Sequence, residues 1–211
     1  MPAVRGYGRR ASVAVCPPVQ VALGLHHAAH ASHASHASHA AHAAAHATHS
    51  ARGHAAAAGL LYFTSGFRGS ALLAIDYKKA EGDITGSETV VWTYEGEGTP
   101  YVPSPLLSND VLYFLNKNKG MLSCVDAKTG SPHYTNQRLE GLQGVYASPV
   151  AAKGRVYIAG RSGRTVVLED GPAFKVLAES DLDDSFTASP AIVGSQLFLR
   201  GLKNLYCLQV Q

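Results

Sequence analysis

The sequence predicts an all-β fold: a β-propeller of four-stranded antiparallel blades, partial, with between three and four blades, behind a disordered N-terminal tail. Three observations predict it. Ser-Pro recurs at Ser104-Pro105, Ser148-Pro149 and Ser189-Pro190, and an aromatic residue follows each proline by eight, at Tyr113, Tyr157 and Phe198. Each aromatic lies in a short apolar run closed by turn residues, and a second apolar run follows it. No segment of ten or more residues carries the i, i+3, i+4, i+7 spacing of a helix. Serines spaced 44 and 41 residues apart set the length of the unit. Four short strands in a period of roughly 40–50 residues are the signature of a propeller blade.

Residues 1–57 read as a low-complexity tail. They hold ten of the eleven histidines, no acid and four arginines. His30, His33, His36, His39 and His42 recur every third residue, a step that drifts around a helix and makes no stable face. Weak binding of Zn or Ni by imidazoles at this density is the alternative reading of the stretch. The stretch offers too little varied apolar surface to offset the entropy of ordering it, and it is expected to be disordered. Arg9 and Arg10 before "ASVAVCPPVQVALGL" resemble the start of a secretory signal, but Pro17-Pro18 interrupts the apolar region, so the signal is not a convincing one.

From residue 58 the chain is nearly neutral, with 14 basic and 15 acidic residues. That balance argues against a general nucleic-acid binder, which concentrates basic charge on one surface. No apolar run approaches the ~20 residues that span a bilayer. Three cysteines without a C-x-x-C argue against a disulfide framework or a zinc site.

The units run over about 58–103, 104–147, 148–188 and 189–211. In the first, "LLYFTSG", "LLAID" and "TVVWTYE" are strands. In the second, "VLYFLNKN", "LSCVD" and "HYTNQRL" take the same places; in the third, "RVYIAGRSG", "TVVLE" and "FKVLAES" do. The fourth has "QLFLRG" and "LYCLQ" and stops. The first unit lacks a Ser-Pro strand. The proline suits the innermost strand, one edge of which has no ladder partner: it has no N–H to donate and blunts that edge against stray pairing. The aromatic eight residues on falls on the second strand, where its ring fills the space between blades.

"GSALLAID", "GMLSCVDAKTG" and "GRVYIAGRSGRTVVLEDG" resemble pyrroloquinoline-quinone-like (PQQ-like) β-propeller repeats over residues 59–211. Asp126-Ala127-Lys128-Thr129-Gly130 is similar to the turn motif of that family, and Trp92 to the tryptophan that closes a repeat. In the second unit Tyr134 or a neighbour takes the tryptophan's place. The resemblance implies seven or eight blades in a whole propeller, so the missing blades come from another chain or from a longer protein. It also implies an extracytoplasmic location, in the periplasm or cell envelope. Family members include quinoprotein dehydrogenases and a scaffold for assembling outer-membrane proteins.

The dehydrogenases hold the quinone beside calcium, with a catalytic aspartate near it. This chain has no adjacent cysteines and no assignable calcium cluster, so no catalytic, cofactor or metal residue is expected. PQQ with calcium belongs to the alternative reading, the propeller part of a quinoprotein dehydrogenase. Asp76 and Asp126 read as turn caps. Cys124 and Cys207 read as buried structural thiols. The expected role is a non-catalytic protein-interaction scaffold.

A candidate face comes from chain direction. The loop before each Ser-Pro and the turn after each second strand share one end of the blades. The turns bring Arg68, Lys117, Lys119, Arg161, Arg164, Arg200 and Lys203; the loops bring Tyr101, Tyr146 and Phe186. Cations with aromatics suit an acidic peptide or a small anion. Asp181, Asp183 and Asp184 lie on the same face and oppose that reading locally.

Overall fold

The computed structural model describes residues 12–15, 51–57, 59–65, 71–95, 98–116 and 118–209. Strand β1 (Ser12–Val15) comes first in the chain and takes the last place in the fold. Blade 1 is β2 (Ala51–Ala57), β3 (Leu60–Ser65), β4 (Ala71–Asp76) and β5 (Val90–Glu95), and blade 2 is β6 (Leu106–Ser108), β7 (Val111–Asn116), β8 (Met121–Asp126) and β9 (Pro132–Arg138). Blade 3 is β10 (Val150–Ala152), β11 (Arg155–Ala159), β12 (Arg164–Glu169) and β13 (Val176–Asp181). Blade 4 is β14 (Ala191–Val193), β15 (Gln196–Arg200), β16 (Leu205–Gln209) and β1. Each sheet is antiparallel and ordered as written, with β1 beside β16 at the outer edge of blade 4.

Four four-stranded sheets are present among the described residues, the upper end of the expected three to four. Two strands come from the stretch read as a disordered tail. Ser12–Val15 pairs with Gln209–Tyr206 and supplies the strand that blade 4 lacked. Ala51–Ala57 pairs with β3 and supplies the inner strand of blade 1. The ladder explains both: a strand at a sheet edge gains its backbone partners from its neighbour and needs little side-chain signal of its own. The expectation of disorder for the rest of 1–57, and the alternative of metal binding there, lie outside the described residues.

Side-chain alternation builds the cores between blades. One face of blade 2 (Val111, Tyr113, Leu115, Leu122, Cys124) meets Val156, Ile158, Val166 and Leu168 of blade 3. Its other face (Leu112, Phe114, Val125) meets Tyr62, Leu72 and Ala74 of blade 1. Ala159 of blade 3 meets Leu199 and Tyr206 of blade 4. The remaining face of blade 1, with Phe63 and Ile75, is covered by Ile84 and Ala80 from the connection between β4 and β5.

The Ser-Pro pair now has a fuller explanation. Pro105, Pro149 and Pro190 are buried and stand one residue before β6, β10 and β14. Those strands are sheet edges, so the missing N–H leaves no ladder partner unsatisfied. The serine links the blades. The N–H of Ser104 donates to Ser148 Oγ at 2.9 Å, and the N–H of Ser148 donates to Ser189 Oγ at 3.0 Å.

Further latches tie blade 1 to blade 2 and blade 2 to blade 3. Tyr62 Oη and Trp92 Nε1 both donate to the Ala127 carbonyl, at 3.0 and 3.1 Å. Asp126 Oδ1 holds that turn by accepting from the N–H groups of Lys128 and Thr129 and from Thr129 Oγ1. Gly130 lies under the Trp92 ring, where a Cβ would sit 2.8 Å from the indole. Tyr134 pairs with Cys124 as Trp92 pairs with Ala74, which settles the closing position of the second unit. Tyr113 Oη donates to Asp170 Oδ1 at 2.9 Å and accepts from the Gly171 N–H at 2.6 Å. Ser108 Oγ and Asn109 Nδ2 donate to Asp170 Oδ2.

Candidate functional site

The inner-strand loops and the second-strand turns do meet at one end of the blades. The Val145 N–H donates to the Asn118 carbonyl, that of Arg161 to Gly144, and that of Phe186 to Gly160. The Leu202 N–H donates to Ser185 in the same way. Backbone bonds between neighbouring blades thus fix this surface before any side chain is considered.

Its side chains divide into three groups. Arg161 is exposed, and its Cζ lies 5.5 Å from the ring centroid of Tyr146, which is 39% exposed. A guanidinium over a phenol face is attracted by the ring quadrupole and is held in one place. Lys119 is exposed in the neighbouring turn, and Tyr101 is half-buried.

The second group is already engaged. Arg164 donates from Nε and Nη2 to the two Asp181 carboxylate oxygens at 3.0 and 2.9 Å, and from Nη1 to Glu179 and to the Glu140 carbonyl. Its planar fork is used up by this bidentate pair. Lys203 Nζ lies 3.4 Å from Asp183 Oδ2.

The third group is misplaced by the sequence reading. Phe186 is fully buried and packs edge-to-face on Tyr206, with ring centroids 5.8 Å apart. Phe186 and Val145 stand three residues before their Ser-Pro pairs and point inward, whereas Tyr146 stands two before and points outward. One residue of offset exchanges the two directions. Arg200 is not in a turn at all: it is the last residue of β15, opposite Leu205. It stands where blade 2 has Leu115, on the side of blade 4 that faces away from blade 3. Arg68 and Lys117 lie outside the described residues.

Sequence reasoning treated Asp184 only as a stray acid. Its Oδ1 accepts from the N–H groups of Ser185, Leu202 and Lys203, and its Oδ2 from the Asn204 N–H and Tyr206 Oη. The signal was present as a short acid across from the tight Gly201–Asn204 turn. Desolvation opposes ionisation of this carboxyl, but the backbone N–H groups and Tyr206 outweigh it and hold the group at about 2. A folded value below the unfolded one, ~3.9, gives stability that is present above ~3.9 and lost as the pH falls toward about 2. The melting temperature should therefore drop across that window, and Asp184→Asn should flatten the drop while lowering the plateau at neutral pH. An unchanged slope in the variant would remove Asp184 from the account.

Among the described residues, no three His, Cys, Asp or Glu side chains come together as a metal-binding group. Cys124 and Cys207 are buried thiols, and burial first of all pushes Cys124 up to about 12, so it is no nucleophile at neutral pH. No helix among the described residues is long and apolar enough to cross a membrane.

No family model matches the chain, and no curated protein matches its sequence. Solved structures do match its fold. The crystal structure of BamB from Moraxella catarrhalis superposes with a TM-score of 0.52 at 18% identity, over 68% of this chain and 40% of BamB. The computationally designed protein Ika4 gives a TM-score of 0.57 at 11% identity, over 77% of this chain and 92% of Ika4. Quinohemoprotein alcohol dehydrogenase from Comamonas testosteroni gives 0.54 at 15% identity, over 72% and 29%. The chain thus has the β-propeller fold of these proteins and spans well under half the length of the two natural ones.

Proposed function

We propose that this PQQ-like propeller segment is a non-catalytic scaffold that receives an acidic peptide on its turn face, outside the cytoplasm, in the cell envelope. The observation that carries the proposal is the Arg161–Tyr146 pair. It is an exposed guanidinium, stacked on an exposed ring, and among the described residues no carboxylate pairs with it. Arg164 and Lys203, on the same face, are each matched by acids of blade 3 or its following loop. The contrast separates structural cations from one that is available to a partner, and Lys119 adds a second exposed charge nearby in the chain order of turns.

The commitments of the carboxylates support a role without a bound quinone. Asp126 caps its own turn, Asp170 closes the blade 2–blade 3 latch, Asp181 holds Arg164 and Asp184 holds the turn at 202–204. None of these is left facing a common centre where calcium and a quinone would need it. The likeness in fold to BamB agrees with a protein partner and with an envelope location.

The test is binding of a fluorescent Asp/Glu-rich peptide, followed by anisotropy at rising salt. Affinity should fall steeply with ionic strength, because exposed charges are screened beyond ~8 Å at physiological salt. Arg161→Glu should weaken binding at least about tenfold, since like charges face each other across the contact. Tyr146→Ala should weaken it by a smaller factor. Glu169→Gln, at the other end of the blades, should leave it unchanged. Binding that is insensitive to Arg161→Glu would take this face out of consideration.

A further inference from the structure

The latch between blades 2 and 3 differs in its chemistry from the latch between blades 1 and 2. Ala127 and Asp170 hold the same place in their blades. Each follows the third strand, and its N–H donates to the turn between the first two strands, to the Asp110 carbonyl at 2.9 Å and the Gly154 carbonyl at 3.0 Å. At Ala127 the latch closes on a main-chain carbonyl. At Asp170 it closes on a side-chain carboxylate, and the next residue is a glycine. Asp170-Gly171 is the one Asp-Gly pair in the chain, which has no Asn-Gly.

An aspartate before a glycine is open to attack from its own main chain. Glycine has no Cβ to shield its nitrogen, which can close a five-membered ring on the aspartate Cγ. The N–Cγ bond forms, the Cγ–OH bond of the carboxyl in its acid form breaks, and the hydroxyl leaves as water with the amide proton. A second water opens the ring at the former main-chain carbonyl. No atom is gained or lost overall. The product is isoaspartate: the main chain runs through Cγ, one carbon longer, and the carboxylate sits directly on Cα. Pro172 and Ala173 beside the pair are exposed, so water reaches this turn.

The latch holds both reacting groups. Asp170 Oδ1 accepts from Tyr113 Oη at 2.9 Å, and Oδ2 accepts from Ser108 Oγ at 2.6 Å and Asn109 Nδ2 at 2.8 Å. The Gly171 N–H donates to the same Tyr113 Oη at 2.6 Å, and that hydroxyl lies 3.0 Å from the Gly171 carbonyl. All these side chains belong to blade 2, and Tyr113 is 0% exposed, so its ring does not follow the turn. Ring closure needs the carboxyl to turn onto the nitrogen and the nitrogen to lose its proton. Both steps require the tyrosine hydroxyl to let go. We propose that Asp170-Gly171 is a modification site that the latch protects. Local separation of blade 2 from blade 3 opens it to isomerisation, and the isoaspartate, its carboxylate displaced, then keeps the latch open. The turn records such openings in a covalent change that refolding does not reverse.

The test holds the full chain at neutral pH for weeks and follows the tryptic peptide 165–175, whose two isomers separate by chromatography and are told apart by electron-transfer fragmentation. The unaltered chain should isomerise at least about tenfold more slowly than a synthetic peptide of the same residues, because only its opened fraction reacts. Tyr113→Phe removes the hydroxyl, keeps the ring and should raise the rate severalfold. Should that variant fail to fold, Ser108→Ala frees Oδ2 without touching the core and reads the same effect. Leu72→Val loosens the core between blades 1 and 2 and leaves the latch alone, so it should keep the unaltered rate. The isomerised chain, once isolated, should melt at a lower temperature, and adding Tyr113→Phe should lower it no further. Four results would overturn the proposal: a chain that isomerises as fast as the peptide, a latch variant no faster than the unaltered chain, a Leu72→Val rate raised as much as that of the latch variants, or an isomerised chain that melts as before.

Discussion

Tyr113→Ala should destabilise the protein by about 4 kcal/mol, the upper part of the range for deleting a buried aromatic ring. The side chain is 0% exposed and packs in the core between blades 2 and 3. Its hydroxyl also completes a latch, donating to Asp170 and accepting from the Gly171 N–H. Removing it leaves a cavity and strips a partner from a carboxylate. Tyr113→Phe keeps the ring and loses only the hydroxyl, so it should cost about 1–3 kcal/mol, the range for a bond to a charged group. Tyr157, the equivalent aromatic of blade 3, is only half-buried, and Tyr157→Ala should cost about 2 kcal/mol. Urea denaturation of the three variants tests the order. A larger loss for Tyr157→Ala than for Tyr113→Ala would contradict the blade packing described above.

Gly163→Ala should be at least as damaging, about 4 kcal/mol or more, and for a different reason. Gly163 has φ +85°, which a side chain tolerates poorly. A Cβ there would also run into the Leu182 carbonyl oxygen and would lie 2.7 Å from that of Asp184. Both obstacles are backbone. The Gly163 carbonyl itself accepts the Leu182 N–H, so retreat breaks a bond between the turn and the following loop. Gly154→Ala is the control. Its φ is +71°, yet nothing lies within 4 Å of the added carbon. It should cost only the conformational penalty of roughly 1–2 kcal/mol. The difference between the two variants in thermal melts measures the clash alone. Equal losses would show that the turn and the loop are not packed as described.

The blades were legible in the sequence because their signals are local and repeated. Ser-Pro marks the entry to an inner strand, the aromatic eight residues on marks the second, and the small residue at Ala74, Cys124, Val167 and Cys207 marks the third. The two strands that escaped notice have no such signal. Ala51–Ala57 has Gly53-His54 in the Ser-Pro place, and Ser12–Val15 is joined to blade 4 through the ladder to β16. Pairing across nearly the whole length of the chain leaves no pattern within a window of neighbours.

The candidate face was legible in its ingredients and not in its directions. Phe186 and Tyr146 differ by one position relative to their Ser-Pro pairs, and that shift sends one ring inward and the other outward. Arg164 and Arg161 sit at either side of one short turn; one meets Asp181 and the other meets Tyr146. Which acid faces which cation depends on the register between β12 and β13, set by a bulge at Val167/Leu168 that the residue types do not announce.

The place of β1 has a mechanical consequence. Ser12 stands opposite Gln209 in an antiparallel pair, so the outer end of β1 and the outer end of β16 leave the sheet side by side. Tension applied through these two ends acts across the ladder and not along it. The bonds are then loaded one after another, as in a peeled strip, instead of all together as in shear. Blade 4 opens at low force by this route, while blades 1 to 3, each closed by strands consecutive in the chain, keep their fold until the peel has passed.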